Sequence, residues 1–112
     1  MNTDPINLDI NESIATITFN RPEAFNAINS VSVRLLHEIV NKLYKDKSVR
    51  AVILTGSGEK AFCAGGDVAE FAEAGTEVDT MVREMTSYLH ASISRLSWLE
   101  APVIAQVNGV AA

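Results

Sequence analysis

Apolar and polar residues alternate in two short stretches near the start of the chain, over residues 6–10 and 14–19. A period of two places every second side chain on one face, which is typical of a half-buried β-strand. The intervening residues 11–12 fit a turn, so the pattern predicts two strands joined as a hairpin. Residues 20–22, Asn-Arg-Pro, end the second strand because proline cannot donate to a sheet. A loop is expected to continue to about Asn29.

The spacing of apolar residues then lengthens to that of a helix. Apolar side chains recur at positions i, i+3, i+4 and i+7, at Leu36, Ile39, Val40 and Leu43. This pattern predicts an amphipathic helix from about Ser30. Residues 51–55 are apolar at both odd and even positions, which predicts a strand buried on both faces and paired in parallel.

A glycine-rich region occupies the middle of the chain. Residues 56–60 predict a polar loop, and residues 62–66 predict a tight glycine-rich segment. Asp67 stands where an N-cap would begin a short helix that ends at Phe71.

The last third predicts a helix, a strand and a turn. The helix should begin near Thr76, with Asp79 completing a capping box. Its core-facing residues would be Met81, Met85, Leu89, Ile93 and Leu96. Residues 103–107 predict another buried strand, and residues 108–109 predict a turn.

Composition restricts the class of protein. The chain has 112 residues, 47% of them hydrophobic and 21% charged, which is ordinary for one globular domain. Its apolar runs fall far short of the roughly 20 residues of a membrane span. The first residues resemble neither a secretory signal nor a transit peptide, so a cytoplasmic protein is expected. Cys63 is the only cysteine, which excludes an intrachain disulfide.

Charge argues for a small ligand that is held locally. The net charge is −5 and the nine basic residues are scattered, whereas nucleic acids and anionic membranes require clustered Lys and Arg. An anionic ligand would have to be bound by backbone amides or by a few side chains.

The chain stops on small apolar residues, 110–112, whereas termini are usually polar. We therefore expect more chain to follow residue 112.

Gly65, Gly66 and Asp67 form the main candidate site. They lead from a loop into a predicted helix, where unpaired amides and the helix dipole favour an anion or an oxyanion. Glycines also let a ligand approach the backbone closely. A plain tight turn before a helix is the alternative interpretation of the same residues.

Other candidate motifs are weaker. Residues 56–61 match G-x-G-x-x-A after a strand, as in dinucleotide-binding proteins, but the required helix does not follow. His37 and His90 have no partners at the spacing of a metal site or a catalytic triad. Cys63 fits small apolar filling better than a nucleophile, and Glu70 and Glu73 fit solvated helix charges.

Two segments are more specific than any of these motifs. Residues 60–67, Lys-Ala-Phe-Cys-Ala-Gly-Gly-Asp, and residues 102–112, Pro-Val-Ile-Ala-Gln-Val-Asn-Gly-Val-Ala-Ala, closely resemble the paired signatures of the enoyl-CoA hydratase/isomerase (crotonase) family. Residues 17–22, 25–28 and 49–56 also resemble family segments and occur in family order.

The resemblance implies an α/β fold of the ClpP/crotonase type, a spiral of β-β-α units that is incomplete in this chain. It implies that residues 1–112 are the N-terminal part of a single domain of this type, whose C-terminal half is absent. It implies an acyl-CoA ligand whose thioester oxygen is held by two backbone amides, the first of which maps onto Gly66. The substrate-binding positions that it implies are Ala24, Ala64, Gly65, Gly66, Asp67 and Val68. It implies coenzyme A thioester as substrate without a further cofactor, no metal, and a homotrimer or a hexamer of two trimers.

The resemblance leaves the reaction open. The second amide and the catalytic carboxylates of relatives would follow Ala112, and Ala69 stands where many relatives carry lysine. An enoyl-CoA hydratase or isomerase is the leading hypothesis. A CoA hydrolase, dehalogenase or decarboxylase is an alternative, as is a non-catalytic binding or scaffold protein of the same fold or a small binding module.

Overall fold

The computed structural model describes residues 3–112, in which a four-stranded sheet is covered on one face by helices. The strands are β1 (Ile6–Asn11), β2 (Ile14–Phe19), β3 (Ala51–Gly56), β4 (Ala61–Cys63), β5 (Val103–Ala105) and β6 (Val110–Ala111). The helices are α1 (Ser30–Lys45), α2 (Val68–Ala74) and α3 (Val78–Trp98), with short 3-10 turns at Pro22–Ala24 and Gly75–Glu77. Over the described range, no helix is long and apolar enough to cross a membrane.

The main sheet has the strand order β1-β2-β3-β5, and β4 pairs with β6 in a second, two-stranded sheet. β1 and β2 form the predicted antiparallel hairpin, and the turn residues Glu12 and Ser13 both have positive φ. Two successive positive φ angles give the kind of tight turn whose twist matches that of paired strands. β2 with β3 and β3 with β5 pair in parallel, which confirms the predicted parallel pairing.

The core lies between α1 and one face of the main sheet. The predicted helical stripe is confirmed, since Leu36, Ile39, Val40 and Leu43 are all buried. They pack in one cluster with sheet residues Ile6, Ala15, Ile17, Phe19 and Val52. Asn29 begins α1 by accepting a hydrogen bond from Ser32 N through its side chain, as an N-cap residue does.

Two strands are less buried than their sequences predict. In β3 only Val52 is fully buried, and its neighbours are half-exposed. β5 is shorter than the predicted 103–107 and is largely exposed. The reason is the layering, because α1 covers one face of the sheet and alternate side chains such as Ile53 and Ile104 point to the other face.

The region around α2 and α3 differs from its prediction in three respects. Residues 61–63, which the sequence placed largely in a loop, form β4 against β6. α3 begins at Val78 without a side-chain cap, and Asp79 instead pairs with Arg83, so the predicted capping box is wrong. Of the predicted apolar stripe of α3, only Met85 is fully buried.

Candidate functional site

Two loop segments that are distant in sequence lie side by side and pair in parallel. One is residues 25–28, just before α1, and the other is residues 64–67, just before α2; we call them the paired loops. Three backbone hydrogen bonds join them, from Ala64 N to Phe25 O (3.0 Å), from Ile28 N to Gly65 O (2.7 Å) and from Asp67 N to Ile28 O (2.9 Å). The end of the first signature segment, residues 64–67, is therefore held in a fixed register against residues 25–28.

The Gly66 N–H is left without an acceptor in the part of the chain that the structure describes. On either side of it, Gly65 N–H lies 3.5 Å from Cys63 Sγ and Asp67 N–H donates to Ile28 O. The parallel bridge between Ile28 and Gly66 uses the neighbours of Gly66, so its own N–H points away from the partner loop. A fixed but unpaired donor is suited to bind an external acceptor.

The two glycines are required for different reasons. Gly65 has a φ of +97°, a conformation that L side chains rarely adopt. At Gly66 a Cβ would lie 2.8 Å from Cζ of Phe71, so a side chain there would displace the Phe71 ring. The absence of a Cβ also keeps the Gly66 N–H accessible.

Asp67 is the N-cap of α2, as the sequence predicts. Its Oδ1 accepts hydrogen bonds from Ala69 N (3.1 Å) and Glu70 N (3.3 Å). Two of the first amides of α2, those of Ala69 and Glu70, are therefore already bound by Asp67, whereas the Gly66 N–H lies outside the helix and does not take part in these contacts.

Arg21 forms an ion pair with Asp67, from Nη2 to Oδ2 at 3.0 Å. Burial raises the pKa of Asp67, but the N–H of Glu70, the Arg21 guanidinium and the N–H of Ala69 together lower the pKa below its ordinary value. Asp67 is thus held as a carboxylate by donors on two sides. The family resemblance included Arg21 in a matching segment but assigned it no role.

Two asparagines hold the loop between β3 and β4. Asn26, which is 2% exposed, donates through Nδ2 to Ser57 O (3.0 Å) and Ala61 O (2.9 Å). Asn108 donates through Nδ2 to Gly58 O (3.0 Å) and to the same Ala61 O (3.1 Å). Sequence reasoning missed both asparagines, because their acceptors are backbone carbonyls that are distant in sequence.

Glu70 also has a role that differs from its prediction as a solvated charge. Its carboxylate accepts hydrogen bonds from the N–H (2.9 Å) and the Oγ (2.8 Å) of Ser30, the first residue of α1. The side chain therefore caps α1 from α2. The contact fixes the position of α2 and of the loop that precedes it.

An apolar cavity of about 600 Å³ opens beside the glycines. Gly65, Gly66 and Ala112 are among the residues that line it. Its wall includes Leu36, Phe71, Met85, Leu89, Ile93 and Leu96. Four of the five residues of the predicted α3 stripe, all except Met81, therefore face this cavity, which explains why the stripe is only partly buried.

The six substrate-binding positions implied by the family resemblance divide into four places. Gly65 and Gly66 line the cavity. Ala64 and Asp67 belong to the paired loops, and Ala24 lies in the 3-10 turn directly before Phe25. Val68 begins α2 with its side chain 74% exposed.

The dinucleotide motif lacks its structural context. Residues 56–61 run from β3 into strand β4, where a dinucleotide-binding loop would open a helix. Gly56 is not in a flexible loop, since a Cβ there would lie 2.5 Å from Phe62 O. His37 stacks edge-on against Tyr88 between α1 and α3, and Cys63 is buried beside the cavity.

The layered fold, the paired loops and the cavity beside a glycine amide define a protein of the crotonase fold class. A family model described as Enoyl-CoA hydratase/isomerase matches residues 9–112. The chain belongs to the enoyl-CoA hydratase/isomerase family.

Individual relatives are similar over most of this chain. A short-chain-enoyl-CoA hydratase of Clostridium acetobutylicum is 39% identical over 99% of the chain, which spans 41% of that enzyme. A 3-hydroxyisobutyryl-CoA hydrolase of Danio rerio is 35% identical over 84% of the chain, which corresponds to 25% of that protein. The crystal structure of an enoyl-CoA hydratase from Bacillus anthracis superposes with a TM-score of 0.84 at 32% identity, over 96% of this chain and 41% of that one.

Proposed function

We propose that the protein containing this chain acts on acyl-CoA thioesters as an enoyl-CoA hydratase or isomerase, and that the Gly66 N–H is one of its oxyanion donors. The observation that carries the proposal is a fixed, unpaired amide in the lining of an apolar cavity, in a chain of this family. The proposal adds to the family assignment a specific role for one group, the Gly66 N–H.

The chemistry explains why an amide suffices. Addition of water to an enoyl thioester, or migration of its double bond, passes through an enolate-like state in which negative charge develops on the thioester oxygen. A preorganised N–H at that oxygen stabilises the transition state more than the ground state, and losing one such donor costs about 3 kcal/mol of barrier. Gly66 acts through its backbone, so its role does not depend on a titrating side chain.

The surroundings of Gly66 suit the two ends of an acyl-CoA. The cavity wall is formed mainly by apolar side chains such as Met85, Leu89 and Ile93, which suits an acyl chain. On the other side of Gly66, the nucleotide part would lie along Ala64 and the turn that contains Ala24. Asp67 and Val68 would flank the pantetheine.

The direct test is an assay of the natural gene product that contains residues 1–112, with short- and medium-chain 2-enoyl-CoA thioesters. We expect saturable loss of the conjugated enoyl absorbance. Failure to bind any CoA thioester in calorimetry would refute the proposal. Binding without turnover would instead favour a non-catalytic member of the same fold.

A matched pair of variants tests the Gly66 N–H itself. In a Phe71→Ala background, which removes the ring that a Cβ would meet, Gly66→Ala keeps the N–H and Gly66→Pro removes it. We expect kcat of the proline variant to be about 100-fold or more below that of the alanine variant. Equal kcat values in two variants with equal thermal stability would exclude this amide as a donor.

A CoA hydrolase is a second candidate, favoured by the similarity to the 3-hydroxyisobutyryl-CoA hydrolase of Danio rerio. The same donor would stabilise the tetrahedral oxyanion formed when water attacks the thioester. A thiol reagent separates the two reactions, since only hydrolysis releases free CoA. Release of thiol from a 3-hydroxyacyl-CoA thioester, with no conversion of the 2-enoyl-CoA thioesters, would favour the hydrolase.

The remaining properties are proposals from the family. We propose a homotrimer or a hexamer of two trimers, which light scattering of the natural gene product would identify. We propose that the protein is cytoplasmic and that it needs no cofactor beyond the CoA thioester. Full turnover after dialysis against a chelator is the expected result.

A further inference from the structure

Arg21 contacts both of the paired loops at once. Its Nη1 donates to Ala27 O at 2.7 Å, and its Nη2 donates to Asp67 Oδ2 at 3.0 Å. The two side chains of the ion pair are only 19% and 15% exposed. A guanidinium presents donors in a rigid fork, so two bonds from one group fix the distance between their acceptors.

The base of the arginine is also fixed. Arg21 N–H donates to Asn26 Oδ1 at 2.9 Å, and Asn26 N–H donates back to Arg21 O at 2.8 Å. Because Asn26 is buried, the Arg21 backbone is anchored in the interior while its side chain reaches out to the loops. Arg21 thus links the interior to the residue that follows Gly66.

The position of Gly66 depends on its two neighbours. Gly65 O and Asp67 N are bonded to Ile28, and Asp67 Oδ2 is bonded to Arg21. No side chain at Gly66 itself can hold it in place. Any change in the spacing of the paired loops would therefore move the Gly66 N–H relative to the cavity.

We propose that Arg21 is a positioning residue, which sets the direction of the Gly66 N–H by clamping the paired loops through Ala27 and Asp67. The inference rests on the proposed function of Gly66. It assigns to Arg21 a role in the rate of reaction rather than in substrate affinity, because the two guanidinium bonds hold protein groups of the paired loops, Ala27 O and Asp67 Oδ2.

The kinetic test uses Arg21→Lys and Arg21→Met in the natural gene product. Lysine keeps the charge but has no planar fork, so it cannot hold both acceptors in the same geometry. For both variants we expect kcat to fall about 10- to 100-fold, with KM within about 3-fold of wild type, since a small displacement of a transition-state donor acts on rate. A rise in KM at unchanged kcat would overturn the proposal in favour of direct CoA binding.

Arg83→Met is the matched control. Arg83 also pairs with an aspartate, Asp79, at 3.1 Å, but both side chains are largely exposed and distant in sequence from the paired loops. We expect this variant to keep the wild-type kcat. An equal loss of kcat in Arg83→Met would mean that removal of any arginine is harmful and would overturn the positioning role.

Amide hydrogen exchange tests the proposal independently of turnover. In Arg21→Met the amides of Ile28 and Asp67, which donate across the paired loops, should exchange about 10-fold faster than in wild type. The amide of Val52, which donates to Pro102 O in the main sheet, should be unchanged. An equal rise in the exchange rates of all three amides, or no rise in any of them, would contradict the positioning role of Arg21. If the wild-type protein shows no activity but exchange at Ile28 and Asp67 is still faster in Arg21→Met, the proposed function is refuted. The role of Arg21 in holding the paired loops would then be retained.

Discussion

The paired loops and helix α3 are held in opposite ways. The loops at 25–28 and 64–67 have almost no regular structure, yet backbone and side-chain hydrogen bonds fix them from several directions. α3 is the longest helix, with 21 residues, yet only Met85 and Ser92 on it are fully buried. Regularity of the backbone and tightness of packing are thus separate properties in this molecule.

The difference corresponds to the two tasks of a site. The donor that we propose, the Gly66 N–H, would have to be held to within a fraction of an ångström, and directional hydrogen bonds achieve this better than apolar packing. An apolar wall such as the face of α3 needs only to present methyl and methylene groups to a chain of variable shape. The molecule therefore concentrates its polar contacts on the residues that flank Gly66 and leaves α3 facing the cavity.

Replacing Asn26 should have the largest effect on the loop side of this comparison. Asn26→Ala removes two donors and one acceptor from a buried site and places alanine at a φ of +59°. We expect a loss of unfolding free energy of about 3 kcal/mol or more, measured by urea denaturation. Asn41→Ala is the control, because Asn41 lies on α1 and its side chain contacts His37 on the same helix. We expect its unfolding free energy to change by less than about 0.5 kcal/mol. A small loss at Asn26 would show that water replaces its hydrogen bonds.

A pair of isoleucines measures the difference between the core helix and α3. Ile39 on α1 is 7% exposed and Ile93 on α3 is 51% exposed. We expect Ile39→Ala to cost roughly 3 kcal/mol of unfolding free energy, and Ile93→Ala to cost less than about 1 kcal/mol. In the activity assay Ile93→Ala should change the preferred acyl length instead. A cost at Ile93 as large as that at Ile39 would mean that another surface covers the stripe of α3.

The sequence predicts the elements of this fold well where one residue pattern decides them. The alternation in residues 6–10 and 14–19 and the apolar spacing in α1 specify the hairpin and the core helix. Burial of β3 and β5 was overestimated, because apolar residues on both parities do not reveal whether a second layer covers the sheet. A two-residue period identifies the side chains that share one face of a strand, but it does not show whether another layer packs on that face.

The site is predictable only in part, for a similar reason. Gly65, Gly66 and Asp67 are conspicuous because local backbone conformation and capping depend on them directly. The roles of Arg21, Asn26 and Glu70 depend on partners that are distant in sequence. For Arg21 and Glu70, the partners Asp67 and Ser30 are 40 or more residues away. Such contacts leave no local periodicity, so only the three-dimensional structure identifies them.

Titration of Asp67 tests how much the ion pair stabilises the paired loops. Its pKa lies below the ordinary value of 3.8, so the folded state binds fewer protons than the unfolded state in that range. The stabilisation is present above about pH 4 and is lost as the pH falls through the lowered folded pKa. We therefore expect the difference in unfolding free energy between wild type and Asp67→Asn to shrink below about pH 4, since asparagine keeps the cap but not the charge.

Asp46→Asn is the control for this titration. A side-chain hydrogen bond from Ser48 also lowers the pKa of Asp46, but that carboxylate is exposed at the end of α1. Its replacement should change stability less at every pH. A difference for Asp67→Asn that stays constant from about pH 6 to pH 3 would show that the charge contributes nothing.

The smallest expected effect concerns the start of α3, where sequence and structure disagree. Thr76 lies in a 3-10 turn and α3 has no side-chain cap, whereas Asn29 caps α1 with a hydrogen bond of 2.8 Å from Ser32 N. Thr76→Ala should therefore change the unfolding free energy by less than about 0.5 kcal/mol, and Asn29→Ala should cost about 1 kcal/mol. Equal losses of unfolding free energy for the two variants in urea denaturation would show that Thr76 caps α3, as the sequence predicts. A loss at Asn29 alone would mean that α3 is held by its contacts with α1 and not by a cap of its own.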